Sequence, residues 1–257
     1  MDIAGRRPLV TGANRGLGEQ FVEELLRRGA DRVYAGARNT DTLGPLTARH
    51  RDRVVPVRLD VTDPDDIRGA VEQHGDIDLL VSNAGETCAT PVLAPPDDAP
   101  FRSVFEVNFF GPLTVVRALA PQLVAHGGGV LFVQSLAALV ISRSSPIYSA
   151  SKAAAMMLAM GVRAELKSAG VVVTSCFPGF IDTDMTAGIE IPKASPRSVA
   201  ERSLDALEAE RATVFPDRLA ELVEDAVVTN MGAVLDDPQA VMTQLIKALR
   251  ADPRAGQ

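Results

Sequence analysis

The chain has 257 residues, of which 46% are hydrophobic and 23% are charged, and its net charge is −7 at pH 7. This size and balance predict one globular domain over residues 1–257, and the acidic charge argues against nucleic acid as the main partner, because phosphate backbones bind basic faces. No apolar signal sequence and no uncharged apolar stretch of about 18 residues is apparent, so we expect no membrane span. Cys88 and Cys176 lack metal-ligand spacing and the three histidines form no zinc motif. We therefore expect a reduced, cytoplasmic protein without a metal site.

Short β-branched runs alternate with longer amphipathic segments along the chain. The predicted strands are 8–10, 32–35, 54–59, 77–81, 129–134, 171–176 and 213–215. The predicted helices are 17–28, 40–48, 64–74, 101–125, 146–168, 196–208 and two more after residue 217. This repetition predicts an α/β fold with a doubly wound parallel sheet of about seven strands between two helix layers. The long segment 179–194 carries few helix or strand signals, and we expect it to be a mobile lid.

A glycine-rich turn follows the first predicted strand and precedes a helix. Its sequence is Thr11-Gly12-Ala13-Asn14-Arg15-Gly16-Leu17-Gly18. Glycines at such a bend let backbone N–H groups approach a pyrophosphate at a helix N-terminus. The spacing differs from the commoner G-x-G-x-x-G pattern, but the turn stands where the dinucleotide crevice of an α/β sheet begins. We therefore predict a dinucleotide site here, in preference to a purely structural turn.

A second constellation combines Ser135, Tyr148 and Lys152. Tyr148 and Lys152 are four residues apart, so on a helix they share one face, and Ser135 ends a predicted strand. A phenol has a pKa of about 10, and a neighbouring ammonium lowers it. The three side chains together can form an acid–base centre. Taken alone, the Tyr–Lys spacing is more typical of a chance contact on a surface helix.

These motifs together resemble the short-chain dehydrogenase/reductase family, in its branch of about 250 residues. The resemblance covers residues from about 7 to 216 and rests on motifs in the family's order. These are Thr11–Gly18, Asp60, Ser82-Asn83-Ala84-Gly85, Asn108, Ser135, Tyr148 with Lys152, and Pro178-Gly179-Phe180-Ile181-Asp182-Thr183. The resemblance implies a Rossmann-type three-layer αβα sandwich and an NADPH-dependent oxidoreductase that reduces a ketone or aldehyde to an alcohol, or the reverse. Residues 217–257 carry no motif that we can place.

The resemblance also implies catalytic roles for four residues. Tyr148 would be the general acid when a carbonyl is reduced and the base when an alcohol is oxidised. Lys152 would lower the pKa of Tyr148 and hold the nicotinamide ribose. Ser135 would donate to the substrate oxygen, and Asn108 would hold a water that links Lys152 to solvent.

The end of the second predicted strand decides between the two nicotinamide dinucleotides. Ala37 stands where NAD-preferring relatives carry Asp, and Arg38 follows it, while Arg15 lies in the glycine turn. Because two guanidiniums can clamp one phosphate, we predict NADP(H). The full set of expected cofactor contacts is Gly12, Asn14, Arg15, Gly16, Leu17, Gly18, Arg38, Asp60, Val61, Asn83, Ala84, Gly85, Tyr148, Lys152, Pro178, Gly179, Ile181 and Thr183.

The residues that contact the substrate are harder to predict from the sequence. Apolar residues near the proposed centre predict either an apolar pocket or ordinary core, and the candidates for substrate contact are Glu86, Leu136, Ala137, Phe180 and Met185. The Glu86 side chain is expected to point to solvent or, alternatively, to face a polar or cationic substrate group.

Oligomeric state and reaction class leave alternatives open. Only 12 residues separate Ser135 from Tyr148, which leaves no room for the insertion that makes some relatives monomeric. Relatives usually dimerise through the helices near 101–125 and 146–168, so we expect a homodimer or homotetramer. Reduction of a C=N or C=C bond, and a non-catalytic NADP-binding sensor, are the alternative functions.

Overall fold

A parallel sheet of seven strands lies at the centre of the computed structural model, which describes residues 1–93 and 97–255. The strands are β1 (Pro8–Thr11), β2 (Val33–Ala37), β3 (Val54–Arg58), β4 (Leu79–Ser82), β5 (Gly129–Val133), β6 (Val172–Cys176) and β7 (Thr213–Val214). Their order across the sheet is β3-β2-β1-β4-β5-β6-β7, and all neighbours pair in parallel. The order reverses between β1 and β4, where open α/β sheets bind their ligands. The predicted doubly wound, seven-stranded sheet is confirmed.

Helices cover both faces of the sheet. They are α1 (Gly16–Arg27), α2 (Gly44–His50), α3 (Pro64–Gln73), α4 (Ala99–Phe105), α5 (Gly111–Ala125), α6 (Pro146–Leu166), α7 (Pro196–Glu208), α8 (Arg218–Asp236) and α9 (Pro238–Ala251). The core of one layer holds α1, α2 and α7, and that of the other holds α3, α5 and α6. Because strand side chains alternate, Leu131 of β5 packs into the first core, while Val130 and Phe132 pack into the second. Both faces are buried, which explains the almost continuous apolar runs of the strands.

One predicted helix is two in the structure. The segment 101–125 contains α4, a π-helical turn over Glu106–Phe110, and α5. Pro112 has no N–H and cannot donate to the carbonyl of Asn108 four residues earlier, which favours a local departure from α-helix. Gly111 is also constrained, because a Cβ there would lie 2.9 Å from the Val61 carbonyl oxygen. Similarly, the predicted helix 40–48 starts as a 3-10 turn over Thr40–Leu43, and α2 follows.

Residues 217–255, which carried no recognisable motif, form α8 and α9 over the carboxyl end of β5 and β6. Leu219 and Val223 of α8 and Leu249 of α9 share a buried cluster with Leu136 and Phe177, which follow those strands. A break in α8 occurs at Asn230 (φ −152°, ψ 64°), whose side chain accepts from the N–H of Ala233 and so restarts the helix. The C-terminal helices therefore form one wall near the proposed site.

Within the described residues, one helical stretch is long and apolar enough to cross a membrane by length and composition alone. It runs from Ala99 to Ala125 and comprises α4, the π-helical turn and α5. Val115, Leu119 and Leu123 of α5 are almost fully buried in the core beneath the sheet. The helix layer of the fold thus accounts for its apolar face, and the cytoplasmic location stays a prediction.

We expect Leu249→Ala to destabilise the C-terminal helices strongly. Leu249 is 1% exposed, and removing its side chain leaves a cavity that costs about 2–5 kcal/mol of unfolding free energy. Leu235→Ala on α8 is the matched control, because Leu235 is 73% exposed and its loss costs at most about 0.5 kcal/mol. Urea unfolding of both variants measures the difference, and equal midpoints would contradict the packing of α9 on this cluster.

Candidate active site

The predicted site residues meet along one edge of the sheet because they follow the carboxyl ends of parallel strands. Arg38 follows β2, Asp60 and Val61 follow β3, and Ser135 follows β5. The remaining members of this edge are Gly12–Gly18 after β1, Asn83–Glu86 after β4, Leu136 and Ala137 after Ser135, and Pro178–Thr183 after β6. Tyr148 and Lys152 reach it from α6, and Asn108 reaches it from the π-helical turn.

The glycine turn between β1 and α1 is packed too tightly for side chains. A Cβ on Gly18 would lie 2.0 Å from the carbonyl oxygen of Gly12, and one on Gly12 would lie 3.1 Å from Cα of Ala84. Gly12 and Gly16 also have positive φ values of 64° and 57°, which other residues rarely adopt. No side chain caps the start of α1 at Arg15, so the first backbone N–H groups of the helix are available to an anion.

A buried threonine, which the sequence reasoning missed, joins β1 to β4. Thr11 Oγ1 accepts hydrogen bonds from the backbone N–H groups of Asn83 and Ala84, each at 2.9 Å. In the opposite direction, Nδ2 of the Asn83 side chain donates to the carbonyls of Thr11 (2.9 Å) and Gly12 (3.2 Å). Thr11 is 1% exposed, so its hydroxyl does not have water as an alternative partner. The available signal was a hydroxyl residue at the last position of a buried strand.

The part of the edge that follows β2 and β3 carries Arg38 and Asp60. Arg38 is exposed directly after β2, while Ala37 before it is buried. Asp60 uses Oδ1 to accept from both the N–H (2.9 Å) and the hydroxyl (2.8 Å) of Thr62. Among the described residues no donor contacts Asp60 Oδ2, so this oxygen remains available to a ligand.

Arg15 forms an ion pair with the segment 179–194. Its guanidinium lies 2.9 Å from Asp184 in the segment 179–194, and both side chains are more than two-thirds exposed. Next to this ion pair, a Cβ on Gly16 would lie 3.3 Å from Cγ2 of Thr183. The glycine turn and the predicted lid therefore touch each other.

The proposed acid–base centre is assembled at the end of β5. Ser135 Oγ accepts from the N–H of Ala137 (3.1 Å), which closes a short 3-10 turn. On α6, the Lys152 ammonium lies 5.9 Å from the centroid of the Tyr148 ring and donates to the carbonyl of Val133 (3.0 Å). Lys152 is 6% exposed, which is unusual for a lysine without a carboxylate partner.

Burial shifts the pKa values of this centre. It raises the pKa of Tyr148 above its ordinary value, and the Ser135 hydroxyl opposes that shift. It lowers the pKa of Lys152 to about 8, because desolvation penalises the ammonium. The direction for Tyr148 differs from the expected lowering by Lys152. The physical reason is that burial of the phenol dominates, while the ammonium hydrogen-bonds to Val133.

Asn108 joins three segments through its side chain. Its Oδ1 accepts from the N–H of Glu86 (2.9 Å), and its Nδ2 donates to the Glu86 carbonyl (2.8 Å) and to Ser151 Oγ on α6 (2.9 Å). Both hydrogens of Nδ2 and one acceptor site of Oδ1 are thus used within the protein. Beside it lies a small cavity, with room for about one water molecule, whose walls include Ser82, Ala84, Asn108, Pro112, Gln134 and Lys152.

The segment 179–194 is anchored at its base. Asp217, the N-cap of α8, accepts from the N–H groups of Gly179 (2.7 Å) and Ala220 (3.0 Å). Ile181 pairs with Ala194 in an isolated parallel bridge. Sequence reasoning missed Asp217, although an Asp directly before a predicted helix is a helix-start signal. The mobile-lid role of this segment stays a prediction.

Comparisons with known proteins show the family of this chain. The family model for short chain dehydrogenases matches residues 7–193. The chain belongs to the short-chain dehydrogenase family. A short-chain dehydrogenase of Penicillium crustosum is 33% identical over 98% of this chain and 97% of its own.

Two further members of the family are informative about cofactors. A short-chain dehydrogenase from Burkholderia cenocepacia, solved in complex with NADP, is 38% identical, with a TM-score of 0.86 over 96% of this chain and 99% of that one. The NADPH-dependent 1-acyldihydroxyacetone phosphate reductase of Saccharomyces cerevisiae is 35% identical over 73% of this chain and 65% of its own.

The candidate substrate residues of this short-chain dehydrogenase fall into two groups. Leu136 is buried, and Phe180 packs against the same C-terminal cluster, while Ala137 is half-buried beside them. Met185 is 50% exposed and lies outside that cluster. The Glu86 carboxylate accepts from the Ser103 hydroxyl of α4 (3.2 Å) and is half-buried, so it neither extends fully into solvent nor lacks a partner.

The two cysteines are free thiols, and they do not suggest a further reactive centre. Cys176 is buried at the end of β6 beside the Ser203 hydroxyl, and burial raises the pKa of its thiol to about 12. Such a thiol stays protonated and unreactive at neutral pH. In residues 1–93 and 97–255, no three His, Cys, Asp or Glu side chains are grouped so that they could hold a metal ion.

We expect Thr11→Val to weaken both the fold and NADPH binding. Valine keeps the shape but leaves the partly buried N–H groups of Asn83 and Ala84 without their acceptor, which costs up to about 1–3 kcal/mol of unfolding free energy for each group. Thr11→Ser keeps the acceptor and is the matched control. Urea unfolding and a fluorescence titration with NADPH measure the effects. Wild-type behaviour of the valine variant in both would show that this hydroxyl is dispensable.

Proposed function

We propose that this short-chain dehydrogenase uses NADP(H) to reduce a ketone or aldehyde to an alcohol, or to catalyse the reverse oxidation. The observation that carries the proposal is the meeting of Ser135, Tyr148 and Lys152 on the edge that also holds the glycine turn. NADP in the Burkholderia relative and the NADPH dependence of the yeast relative support the cofactor. The yeast relative is a 1-acyldihydroxyacetone phosphate reductase, which supports the reaction class.

The residues present fit a dinucleotide. The cradle between Gly12 and Gly18 would admit a pyrophosphate, since side chains are excluded there and the start of α1 faces it, with Asn14 and Leu17 alongside. Arg38 would hold the 2′-phosphate, and Asp60 and Val61 would flank the adenine. The other expected contacts are Asn83, Ala84 and Gly85 along the groove, and Pro178, Gly179, Ile181 and Thr183 at the nicotinamide end. When bound, NADPH supplies the hydride.

The protein supplies the proton and the electrostatic stabilisation. The raised pKa of Tyr148 keeps the phenol protonated at neutral pH, as a general acid for carbonyl reduction requires. Ser135 Oγ already accepts from Ala137, so its own hydroxyl proton remains to stabilise negative charge on the substrate oxygen. Lys152, with a pKa of about 8, can exchange a proton near neutral pH and so return one to Tyr148. One hydride and one proton convert C=O to CH–OH.

The substrate group next to the carbonyl would be apolar. Leu136 and Phe180 lie beside the centre and join the C-terminal cluster, to which Ile191 of the predicted lid also belongs. Exposed apolar residues on the two helices through which relatives dimerise support the expected homodimer or homotetramer. They are Phe110 directly before α5, Val124 on α5, and Met157 and Met160 on α6.

We expect Tyr148→Phe to lower kcat by about 100-fold or more, because loss of a positioned general acid has that effect. Affinity for NADPH should stay close to that of the wild type. The chain's other tyrosine provides the matched control, since the Tyr34 hydroxyl donates to Asp76 (2.6 Å), which precedes β4 at the opposite edge of the sheet. Tyr34→Phe should therefore keep its turnover number.

Turnover is measured as NADPH consumption with dihydroxyacetone, acetophenone and long-chain methyl ketones, together with imines and enones. Wild-type turnover by the Tyr148→Phe protein would refute the proposed mechanism. Activity confined to imines or enones would reassign the reduced bond, and tight NADPH binding without any turnover would favour a sensor.

Selectivity for NADPH over NADH should depend on Arg38 more than on Arg15. A charge-assisted contact with phosphate is worth about 1.5–3 kcal/mol, so Arg38→Ala should lower kcat/KM for NADPH by about 10- to 100-fold and leave NADH unchanged. Arg15→Ala should have a smaller effect, because Asp184 already pairs with this guanidinium.

Arg32→Ala controls for the change in net charge, since Arg32 precedes β2 at the opposite end of the strand. Paired kcat/KM values with NADPH and NADH measure the effect for all three variants. A larger loss in Arg15→Ala than in Arg38→Ala would reverse the assignment of the phosphate contact.

A further inference from the structure

Gln134 has an unusual unpaired oxygen. The residue directly precedes Ser135 and is 4% exposed. Its backbone N–H donates to the Cys176 carbonyl (2.8 Å), and its side-chain Nε2 donates to the Ala155 carbonyl on α6 (3.1 Å). Its Oε1 is buried and has no hydrogen-bond partner among the described residues. The orientation of the amide is fixed, because the Ala155 carbonyl can only accept and therefore requires the NH2 group.

The surroundings of this oxygen suggest what it binds. Gln134 lines the small cavity beside Asn108, and Lys152 lines the same cavity. Buried polar atoms are almost always hydrogen-bonded, and a buried water molecule is the usual partner where protein atoms do not suffice. The cavity has room for about one water, which would meet the amide oxygen on one side and the ammonium region of Lys152 on the other.

We propose that Gln134 Oε1 holds a water molecule in this cavity and is a positioning residue for the return of the proton through Lys152. This inference rests on the proposed function. Tyr148 first gives its proton to the substrate oxygen. The Lys152 ammonium then gives a proton to the resulting Tyr148 phenolate. The held water then gives one proton to Lys152 and takes one from solvent, so the centre regains its starting protonation and the net consumption is one proton.

The chain contains a matched control for this argument. Gln122 on α5 has the same local pattern, because its Nε2 donates to the Val71 carbonyl (3.1 Å) and its Oε1 is buried without a partner. Gln122 does not line the cavity beside Lys152. The two glutamines therefore share the unpaired oxygen and differ in their access to the proposed proton route.

The experiment compares Gln134→Met, Gln134→Glu and Gln122→Met with the wild type. Methionine keeps the length of the side chain and removes the acceptor. A buried, protonated glutamate keeps one acceptor and donates to Ala155 in place of the amide. With the best ketone of the panel and NADPH, Gln134→Met should lower kcat by about tenfold and increase the solvent isotope effect on kcat in D2O, since proton return becomes rate-limiting. Gln134→Glu should recover most of the loss, and Gln122→Met should match the wild type.

Two readouts do not depend on turnover. NADPH affinity should be unchanged in Gln134→Met, and a high-resolution crystal structure of the wild type should contain a water in contact with Gln134 Oε1. The inference is overturned if that water is absent, or if Gln134→Met and Gln122→Met have the same kcat and solvent isotope effect. Failure of the proposed function can be distinguished from failure of this inference. It would appear as unimpaired turnover of Tyr148→Phe, independently of the results for the Gln134 variants.

Discussion

The close approach of β1 and β4 at their carboxyl ends is the constraint on which the rest of the site depends. Four hydrogen bonds join these two ends, since the Thr11 hydroxyl accepts two and the Asn83 side-chain amide donates two. This contact fixes the carbonyl of Gly12, against which Gly18 packs without space for a methyl group. The start of α1 is therefore held at the point where the strand order reverses. The shape of the sheet edge there follows from backbone contacts that tolerate no side chains.

Burial is the second organising factor, and it acts on charge. Lys152 is buried with a backbone carbonyl as its hydrogen-bond partner, so its ammonium is less stable than in water. The same burial keeps the Tyr148 phenol protonated. The two shifts move the pKa values apart, to about 8 for Lys152 and above the ordinary value for Tyr148, so transfer of a proton from the Lys152 ammonium to a Tyr148 phenolate is favourable. A surface Tyr–Lys pair with the same spacing would have neither shift.

The parts of the molecule that sequence predicted well are those set by local signals. Strands with apolar runs, the glycine turn, and helix starts such as Asp63, whose side chain caps α3, are each specified by neighbouring residues. The parts that were missed are set by contacts between distant residues. Asp217 contacts Gly179 across 38 positions of sequence, and the unpaired oxygen of Gln134 exists only because Ala155 occupies the amide's other end. The π-helical turn is intermediate, since Pro112 was visible but the need for Gly111 arises from Val61.

The same distinction explains why the sequence predicts the catalytic residues of this chain better than its substrate. Proton transfer needs rare polar residue types at fixed separations, so Ser135, Tyr148 and Lys152 stand out against any background. An apolar substrate wall needs only aliphatic side chains, and Leu136 in such a wall looks the same in sequence as Leu131 in the core beneath it. The structure distinguishes the two leucines by the residues around them. Leu131 belongs to the core cluster that contains α1 and α7, whereas Leu136 belongs to the cluster that contains α8 and α9. Substrate discrimination in this chain is therefore expected to reside in how residues 217–255 and the segment 179–194 pack on the common centre.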